Sequence, residues 1–370
     1  MKIAMGLASH LLWILLAACA PRGSVEFSPE AADTGSVQEI FVATNRLPIE
    51  NREVLSRERS SSLRFFDFAV SVPPDRSPGS VVFPGNANLD PSKHFLTTSS
   101  VQIPDKTEFV RRINARLDEF LPSNREVTVF VHGYNTNFAE GLYRQAQISH
   151  DFGSKSVSVN FAWPSAATAT QYATDRESAL FVRDSLETIL NALSRSRADR
   201  IVLVGHSMGA HIIMETVRQM EIRNDYTFFD HLASIVLLAP DIDLDVFLEQ
   251  ASAIKRRDIP IFVFTSGSDR ALRFSSFIRG RTIRLGALRD PSVLGDLPVV
   301  LVDLSELSDG GDRLLHSKAA NSPTMISIVN GMGTAGLEIF RQESRRPSIA
   351  EAGVIVVQGA GDALGGASRN

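Results

Sequence analysis

The sequence predicts an α/β fold: a mostly parallel sheet with helices on both faces and an antiparallel N-terminal section. Short, continuously apolar segments alternate with helical segments after residue 106, which is typical of buried parallel strands. Before that point, two β-branched and aromatic segments are separated by Pro and Gly turns, which predicts antiparallel strands. The chain of 370 residues is 44% hydrophobic and 22% charged, as in ordinary globular proteins. Its net charge of -4, without a polybasic segment, argues against nucleic-acid binding.

The N-terminus has the pattern of an export signal. Lys2 precedes an apolar run through Leu16 that is short for a membrane span, and small residues lead to Cys19. Cys19 is the only cysteine, so no intramolecular disulfide can form. This placement resembles the bacterial lipoprotein lipobox, which implies cleavage before Cys19 and attachment of lipid chains such as palmitate. An ordinary signal peptide with an incidental cysteine is the alternative. In a two-membrane bacterium, Ala20 implies the periplasmic face of the outer membrane.

Four regions are predicted along the chain. Residues 1–18 form the signal peptide, and residues 19–36 form a lipidated flexible tether, because they lack periodicity and are rich in Pro, Gly, Ser and Ala. Residues 37–344 form the α/β domain. Residues 345–370 form a loose tail, in which VIVV could add an edge strand.

The elements of the domain follow in chain order. QEIFVATNR and LRFFDFAVSVP are predicted as the antiparallel strands. The next five segments are predicted as helix, strand, helix, strand and one long amphipathic helix: TEFVRRINARLDEFL, EVTVFVHG, AEGLYRQAQISHDF, SVSVNFAWP and DRESALFVRDSLETILNALSRS. Four further strands are predicted at IVLVGHS, ASIVLLAPD, PIFVFTSGSD and PVVLVDLS. Helices are predicted from Ala210 to about Ile222, near Leu244 to Ile254, and around residues 324–332.

The segment GHSMG, between the strand ending at Val204 and the helix starting at Ala210, is typical of a nucleophile elbow. In such a turn the central residue, Ser207, has a strained backbone, and side chains at Gly205 or Gly209 would collide with the neighbouring strand or helix. The alternative is a glycine-rich turn that binds phosphate or only packs.

A serine nucleophile needs a histidine base and a carboxylate that orients it, in the chain order Ser, acid, His. Of eight histidines, His316 alone follows the later predicted strands, so we predict it as the base. For the acid we favour Asp269, which ends the segment PIFVFTSGSD. Asp241 and Asp243, after the preceding strand, are the alternatives.

Two backbone donors are expected to stabilise the negative charge on the substrate's carbonyl oxygen in the transition state. One is the N–H of Met208, directly after the nucleophile. The other is assigned to Tyr134 in the loop after EVTVFV, with Asn135 as the alternative. Asn135 and Trp163 are further candidates to line the substrate pocket, although Trp163 could equally form a packed corner. His132 is expected to be a structural hydrogen-bonding residue.

Several segments together resemble a family of bacterial α/β-hydrolases of unassigned function, of the esterase and lipoprotein type. They are HGYN at 132–135, FAWPS at 161–165, Tyr172 with Asp175, GHSMG at 205–209, APDID at 239–243, SGSDRAL at 266–272 and HS at 316–317. The resemblance spans roughly residues 38–335 and implies the α/β-hydrolase fold and a triad of Ser207, Asp269 and His316. Lys318-Ala319-Ala320 stands where relatives often carry aromatic residues, which puts local substrate contacts in doubt.

These features predict a serine hydrolase that forms an acyl-enzyme from an ester, with no metal or organic cofactor. An acyltransferase with the same triad and a non-catalytic lipid-anchored scaffold or binding protein are the alternatives. The expected partners are a small-molecule or lipid ester and the membrane that holds the anchor. The sequence does not indicate the oligomeric state.

Overall fold

The fold is built on one large sheet. The computed structural model describes residues 22–49, 55–85, 88–256, 258–266, 283–305, 307, 318–323, 325–326 and 353–356. Ten strands lie in this part of the chain: β1 Ser36–Pro48, β2 Leu55–Val72, β3 Leu96–Ile103, β4 Glu126–Val131, β5 Val157–Ala162, β6 Arg200–His206, β7 Leu232–Leu238, β8 Ile261–Thr265, β9 Val299–Asp303 and β10 Gly353–Val356. Their spatial order is β10-β9-β8-β7-β6-β4-β5-β1-β2-β3. This is the mostly parallel sheet that the sequence predicts.

The antiparallel section is confined to one side of the sheet. β1 pairs in parallel with β5 and antiparallel with β2, and β2 pairs antiparallel with β3. The described strands from β4 to β10 pair in parallel. The carboxyl ends of β4, β6, β7 and β8 therefore share one edge, which we call the catalytic edge.

Eight α-helices are described: α1 Lys106–Leu117, α2 Phe138–Asp151, α3 Tyr172–Phe181, α4 Arg183–Leu193, α5 Met208–Ile222, α6 Tyr226–His231, α7 Leu244–Ala253 and α8 Lys318–Asn321. Alternate residues of β1 show that apolar clusters cover both faces of the sheet. Phe41 and Ala43 belong to the cluster that includes α1, α4 and α5 residues, whereas Ile40 and Val42 pack with residues of α2. No helix among the described residues is long and apolar enough to span a bilayer.

The short helices α6 and α8 were not predicted, and two longer elements also differ from the sequence prediction. The long amphipathic helix predicted over residues 175–196 is divided at Val182, whose ψ of -4° departs from the helical value. Val182 is fully buried, so the break lies inside the core. The strand β3, with the sequence LTTSSVQI, was not predicted; its Ser and Thr side chains hide the apolar signal, and it lies at the edge of the sheet.

Residues 22–35, most of the predicted tether, lie against the domain. The Ser28 N–H donates to the Thr97 carbonyl, and the Thr97 N–H donates to that of Glu26. Val25 is buried in the cluster of Tyr143 and Phe95. In the predicted tail, β10 pairs in parallel with β9, so VIVV contributes residues to an edge strand.

Candidate active site

Ser207 lies at the catalytic edge, between β6 and α5. Its φ of 52° is in the left-handed region, which is costly for any residue with a side chain. The Ser207 N–H donates to the Leu238 carbonyl at 3.0 Å, and the Asp241 N–H donates to the Ser207 carbonyl at 3.2 Å. Bonds to the end of β7 thus hold the strained turn from both sides.

The two glycines around Ser207 leave no room for a side chain. A Cβ atom on Gly205 would lie 2.7 Å from the Cα of Ala210, and one on Gly209 would lie 2.1 Å from the Val131 carbonyl oxygen. The sequence predicted collisions with strand or helix, and the neighbours are α5 in the first case and the end of β4 in the second. The close packing of α5 on β4 therefore requires glycine.

The loop of residues 132–137, which follows β4, packs directly on Ser207. A Cβ on Gly133 would approach the Ser207 Cβ to 3.0 Å. The Asn135 N–H donates to the Asp175 carboxylate at 3.1 Å, so it is engaged within the protein. By contrast, the N–H groups of Tyr134 and Met208 make no hydrogen bond to another residue in the described part of the chain. Tyr134 and Met208 thus fit the role of donors better than Asn135 does.

The buried carboxylate of Asp175 binds this loop from the protein interior. Besides the Asn135 N–H, Asp175 accepts hydrogen bonds from the Ser165 hydroxyl at 2.7 Å and the Ala166 N–H at 2.6 Å. The Ser165 hydroxyl oxygen in turn accepts from the Thr136 N–H at 3.2 Å. Asp175 is fully buried and connects the loops that follow β4 and β5. The sequence singled out Asp175 only by resemblance.

Arg46, on β1, holds the same loops through their carbonyl groups. Its guanidinium donates to the Thr136 carbonyl at 3.1 Å, to the Ser56 carbonyl at 3.0 Å and to the Ser165 carbonyl at 3.5 Å. Burial lowers the pKa of Arg46 to about 9, and the nearby Asp175 charge opposes that shift. No sequence pattern distinguishes this residue, because β1 also carries other polar side chains, such as Glu39 and Asn45.

His132 and Trp163 form a packed corner beneath the loop. Their rings stack at 5.2 Å, and the Trp163 indole N–H donates to the His132 carbonyl at 2.7 Å. Burial and the Arg46 charge lower the pKa of His132 to about 3, against two carbonyl contacts that favour the protonated ring. His132 is therefore neutral and structural. Trp163 is fully buried, so its contacts fit the packed-corner interpretation rather than an open pocket.

The alternative acids are already engaged. The Asp241 carboxylate accepts from the Tyr172 hydroxyl at 2.6 Å and forms an ion pair with the buried Arg284 at 3.3 Å. Asp243 caps α7 by accepting from the Asp245 N–H at 3.1 Å. Burial, together with the charges of Asp241 and Asp175, raises the pKa of Tyr134.

Of the predicted site residues, the structure places Ser207, Met208, Tyr134 and Asn135 at the catalytic edge. Asp269, His316 and Cys19 lie outside the described residues. The strands that precede the predicted acid and base, β8 and β9, are described and pair in register, with Thr265 opposite Asp303.

The family described as "Alpha/beta hydrolase of unknown function (DUF900)" matches residues 106–332. No protein of curated function matches the sequence significantly. Solved structures similar to this chain include a CIB-like hydrolase from Thermoplasma acidophilum, with 16% identity over 60% of this chain and 89% of that one and a TM-score of 0.37. A yden-like hydrolase from Pectobacterium atrosepticum has 20% identity over 63% and 97% of the two chains, with a TM-score of 0.32. Esterase B from Lactobacillus rhamnosis has 13% identity over 60% and 79%, with a TM-score of 0.37. These scores carry no functional argument.

Proposed function

The chain belongs to the DUF900 family of α/β-hydrolases of unknown function, and from that premise we propose that it is a serine hydrolase acting on carboxylic esters. The observation that carries the proposal is the left-handed backbone of Ser207, held between β6 and α5 with the 132–137 loop against its Cβ. Ser207 directly precedes Met208 and packs against the loop that carries Tyr134, so the backbone N–H groups of these two residues are candidates to stabilise the tetrahedral intermediate of acyl transfer.

In the proposed mechanism, His316 accepts the Ser207 hydroxyl proton as the oxygen attacks the ester carbonyl, while Asp269 orients the imidazole. The N–H groups of Tyr134 and Met208 donate to the oxyanion. His316 then protonates the leaving alcohol, and water, activated by the same histidine, releases the acyl group from Ser207. We choose Asp269 as the acid because it follows β8, the strand after the one that precedes Asp241 and Asp243, and hydrolases of this architecture commonly take the acid from that later strand.

A fluorophosphonate probe tests this proposal without a choice of substrate. Peptide mass spectrometry of the labelled, detergent-solubilised full-length protein should locate the adduct on Ser207, and Ser207→Ala and His316→Ala should abolish labelling. Asp269→Asn should slow labelling far more than Asp241→Asn or Asp243→Asn, because loss of the triad acid costs about 10⁴-fold in rate. Folded wild-type protein that stays unlabelled, beside a labelled control esterase, would support the scaffold alternative.

The same acyl-enzyme could transfer its acyl group to an alcohol or amine. Product analysis with a labelled ester, with and without an added acceptor alcohol, separates the two reactions. Free acid as the sole product in both cases supports hydrolysis. A new ester that grows with acceptor concentration would instead establish an acyltransferase.

We also propose that Cys19 carries a lipid anchor and that the protein acts at the periplasmic face of the outer membrane. The proposal rests on the similarity of residues 16–19 to a lipobox. Metabolic labelling with an alkyne analogue of palmitate should mark the wild type but not Cys19→Ala. Equal labelling of the two proteins would contradict the proposal.

A further inference from the structure

Arg22 contacts the loop that supplies the proposed oxyanion donor. Its guanidinium donates to the Asn135 side-chain carbonyl at 2.9 Å and to the Asn135 backbone carbonyl at 2.8 Å. The same group donates to the Glu140 carboxylate at 2.5 Å. The two bonds to Asn135 use the planar fork of the guanidinium, which fixes orientation as well as distance.

Both partners of Arg22 belong to the structure that sets the path of this loop. Asn135 has a φ of 53°, and its N–H donates inward to Asp175, so Arg22 holds from the solvent side a residue that Asp175 holds from the core. Glu140 completes the capping box of α2 by accepting from the Asn137 N–H at 3.0 Å. Arg22 therefore connects Asn135, the residue after Tyr134, to Glu140 in the first turn of α2.

The residues that follow Arg22 also contact the 132–137 loop and α2. The Asn137 side-chain amide donates to the Gly23 carbonyl at 2.7 Å. A Cβ on Gly23 would lie 2.3 Å from the Phe83 ring, so a side chain at this position would displace that ring. The Glu26 N–H donates to the Tyr143 hydroxyl at 3.3 Å. Arg22 is thus presented to the loop by a segment that contacts α2 at several points.

We propose that Arg22 is a positioning residue of the hydrolase, a role that rests on the proposed function. By holding Asn135 against Glu140, Arg22 fixes the backbone on which the Tyr134 N–H lies, and so aims that donor at the substrate's oxyanion. The segment directly after the predicted lipobox would then contribute to catalysis by positioning the loop that carries Tyr134.

The test compares Arg22→Ala, Arg22→Lys and Arg256→Ala in the full-length protein. Arg256 is a matched control, because its side chain is 36% exposed against 37% for Arg22 and it also binds carboxylates, those of Asp230 and Asp258. The readouts are kcat and KM for a short-chain nitrophenyl ester, the rate of fluorophosphonate labelling, and Tm. Each is repeated with added guanidinium ion.

Arg22→Ala should lower kcat and the labelling rate about tenfold, less than the 10²–10³-fold of a lost oxyanion donor, with KM little changed. Its Tm should match that of Arg256→Ala, since exposed ion pairs contribute little to stability. Arg22→Lys should stay below the wild type, because an ammonium group lacks the fork. Guanidinium should restore activity to Arg22→Ala alone.

Three results would overturn the inference. Unchanged kcat in Arg22→Ala shows that the contact does not position the loop. A fall in kcat that parallels a fall in Tm, without rescue by guanidinium, shows a structural role only. If the wild type fails to react at Ser207, both the proposed function and this inference are wrong. If the wild type reacts and Arg22→Ala has the same kcat and labelling rate, only this inference is wrong.

Discussion

At the scale of single residues, Ser207 has a backbone conformation that is sterically unfavourable for any residue with a side chain. A left-handed φ on a residue with a side chain costs about 1–3 kcal/mol, and the bonds to Leu238 and Asp241 offset part of that cost. Asp175 performs a similar task for the neighbouring loop, since it gathers donors from Asn135, Ser165 and Ala166. Ser207 and the loop that carries the expected Tyr134 donor are thus held by contacts with residues outside the predicted triad.

Asp175→Asn should impair both stability and catalysis. The amide loses the charge that these donors face, and its NH2 group or weaker oxygen leaves at least one buried N–H poorly satisfied. We expect the free energy of unfolding to fall by about 1–3 kcal/mol and kcat to fall more than KM changes. Chemical denaturation and ester kinetics measure the two effects. Asp258→Asn, an exposed ion-pair partner of Arg256, should change neither; equal effects in the two variants would contradict the assignment.

His132 should make the protein acid-sensitive. Its pKa is about 3 in the folded state against an ordinary value near 6.5, so the unfolded chain binds the proton more readily. The resulting stability is complete above about pH 6.5 and is lost as pH falls toward 3, by about 1.4 kcal/mol for each pH unit. Denaturation of wild type and His132→Gln between pH 6.5 and 4 should give a shallower slope for the variant. Parallel curves would show that His132 does not titrate this way.

At the scale of elements, the sequence predicts best where several signals coincide. The turn around Ser207 combines an apolar strand, two glycines and a following helix, so its structure follows from local pattern. The break at Val182 does not, because no Gly or Pro interrupts the helical pattern between α3 and α4, and only the backbone of the folded chain shows it. β3 is not predicted from the sequence because an edge strand needs few apolar residues, so its apolar pattern is weak.

Gly209→Ala tests how closely α5 packs on β4. A methyl group 2.1 Å from the Val131 carbonyl oxygen requires backbone movement, so we expect a loss of several kcal/mol of stability and of Ser207 reactivity. Gly295→Ala is the comparison: Gly295 has a φ of 54°, and nothing lies within 4 Å of an added Cβ. That variant should lose only about 1–3 kcal/mol, from backbone strain. Thermal unfolding and probe labelling of both proteins check the prediction.

At the scale of the whole molecule, residues distant in sequence support the catalytic edge. Arg46 and Asp175 gain their roles only when β1, the loop after β4 and the loop after β5 meet. A lone Arg or Asp has no spacing that would reveal such a role, so the sequence predicts Ser207 and its expected donors but not the residues that support them. The positions of the acid and the base stay predictions.

A second long-range contact joins α2 to the segment that follows His316. The Gln147 side-chain amide donates to the Ala320 carbonyl at 3.1 Å and to the Asp151 carboxylate at 2.8 Å, all within buried surroundings. Gln147→Leu leaves that carbonyl without this donor, so we expect a loss of about 1–3 kcal/mol and slower labelling of Ser207.

Gln145→Leu is the control for this variant. Gln145 is buried on the same helix, but its side-chain amide atoms have no hydrogen-bond partner among the described residues. Replacing it should leave stability unchanged or raise it, because an unsatisfied polar group is removed from the interior. Equal losses in stability and labelling rate for the two variants would show that the bond to Ala320 contributes nothing specific.

The seating of Arg22 on the 132–137 loop sets a geometric limit on the proposed anchor. Three residues of extended chain span about 11 Å at most, so a lipidated Cys19 would keep the Arg22 backbone within about that distance of the bilayer surface, with the 132–137 loop against the Arg22 side chain. Under that tether, esters embedded in the same leaflet would meet Ser207 at a high effective concentration, whereas water-soluble esters would gain nothing from the anchor. The enzyme would then search for substrate in two dimensions, and lateral diffusion of lipids would govern how often it encounters one.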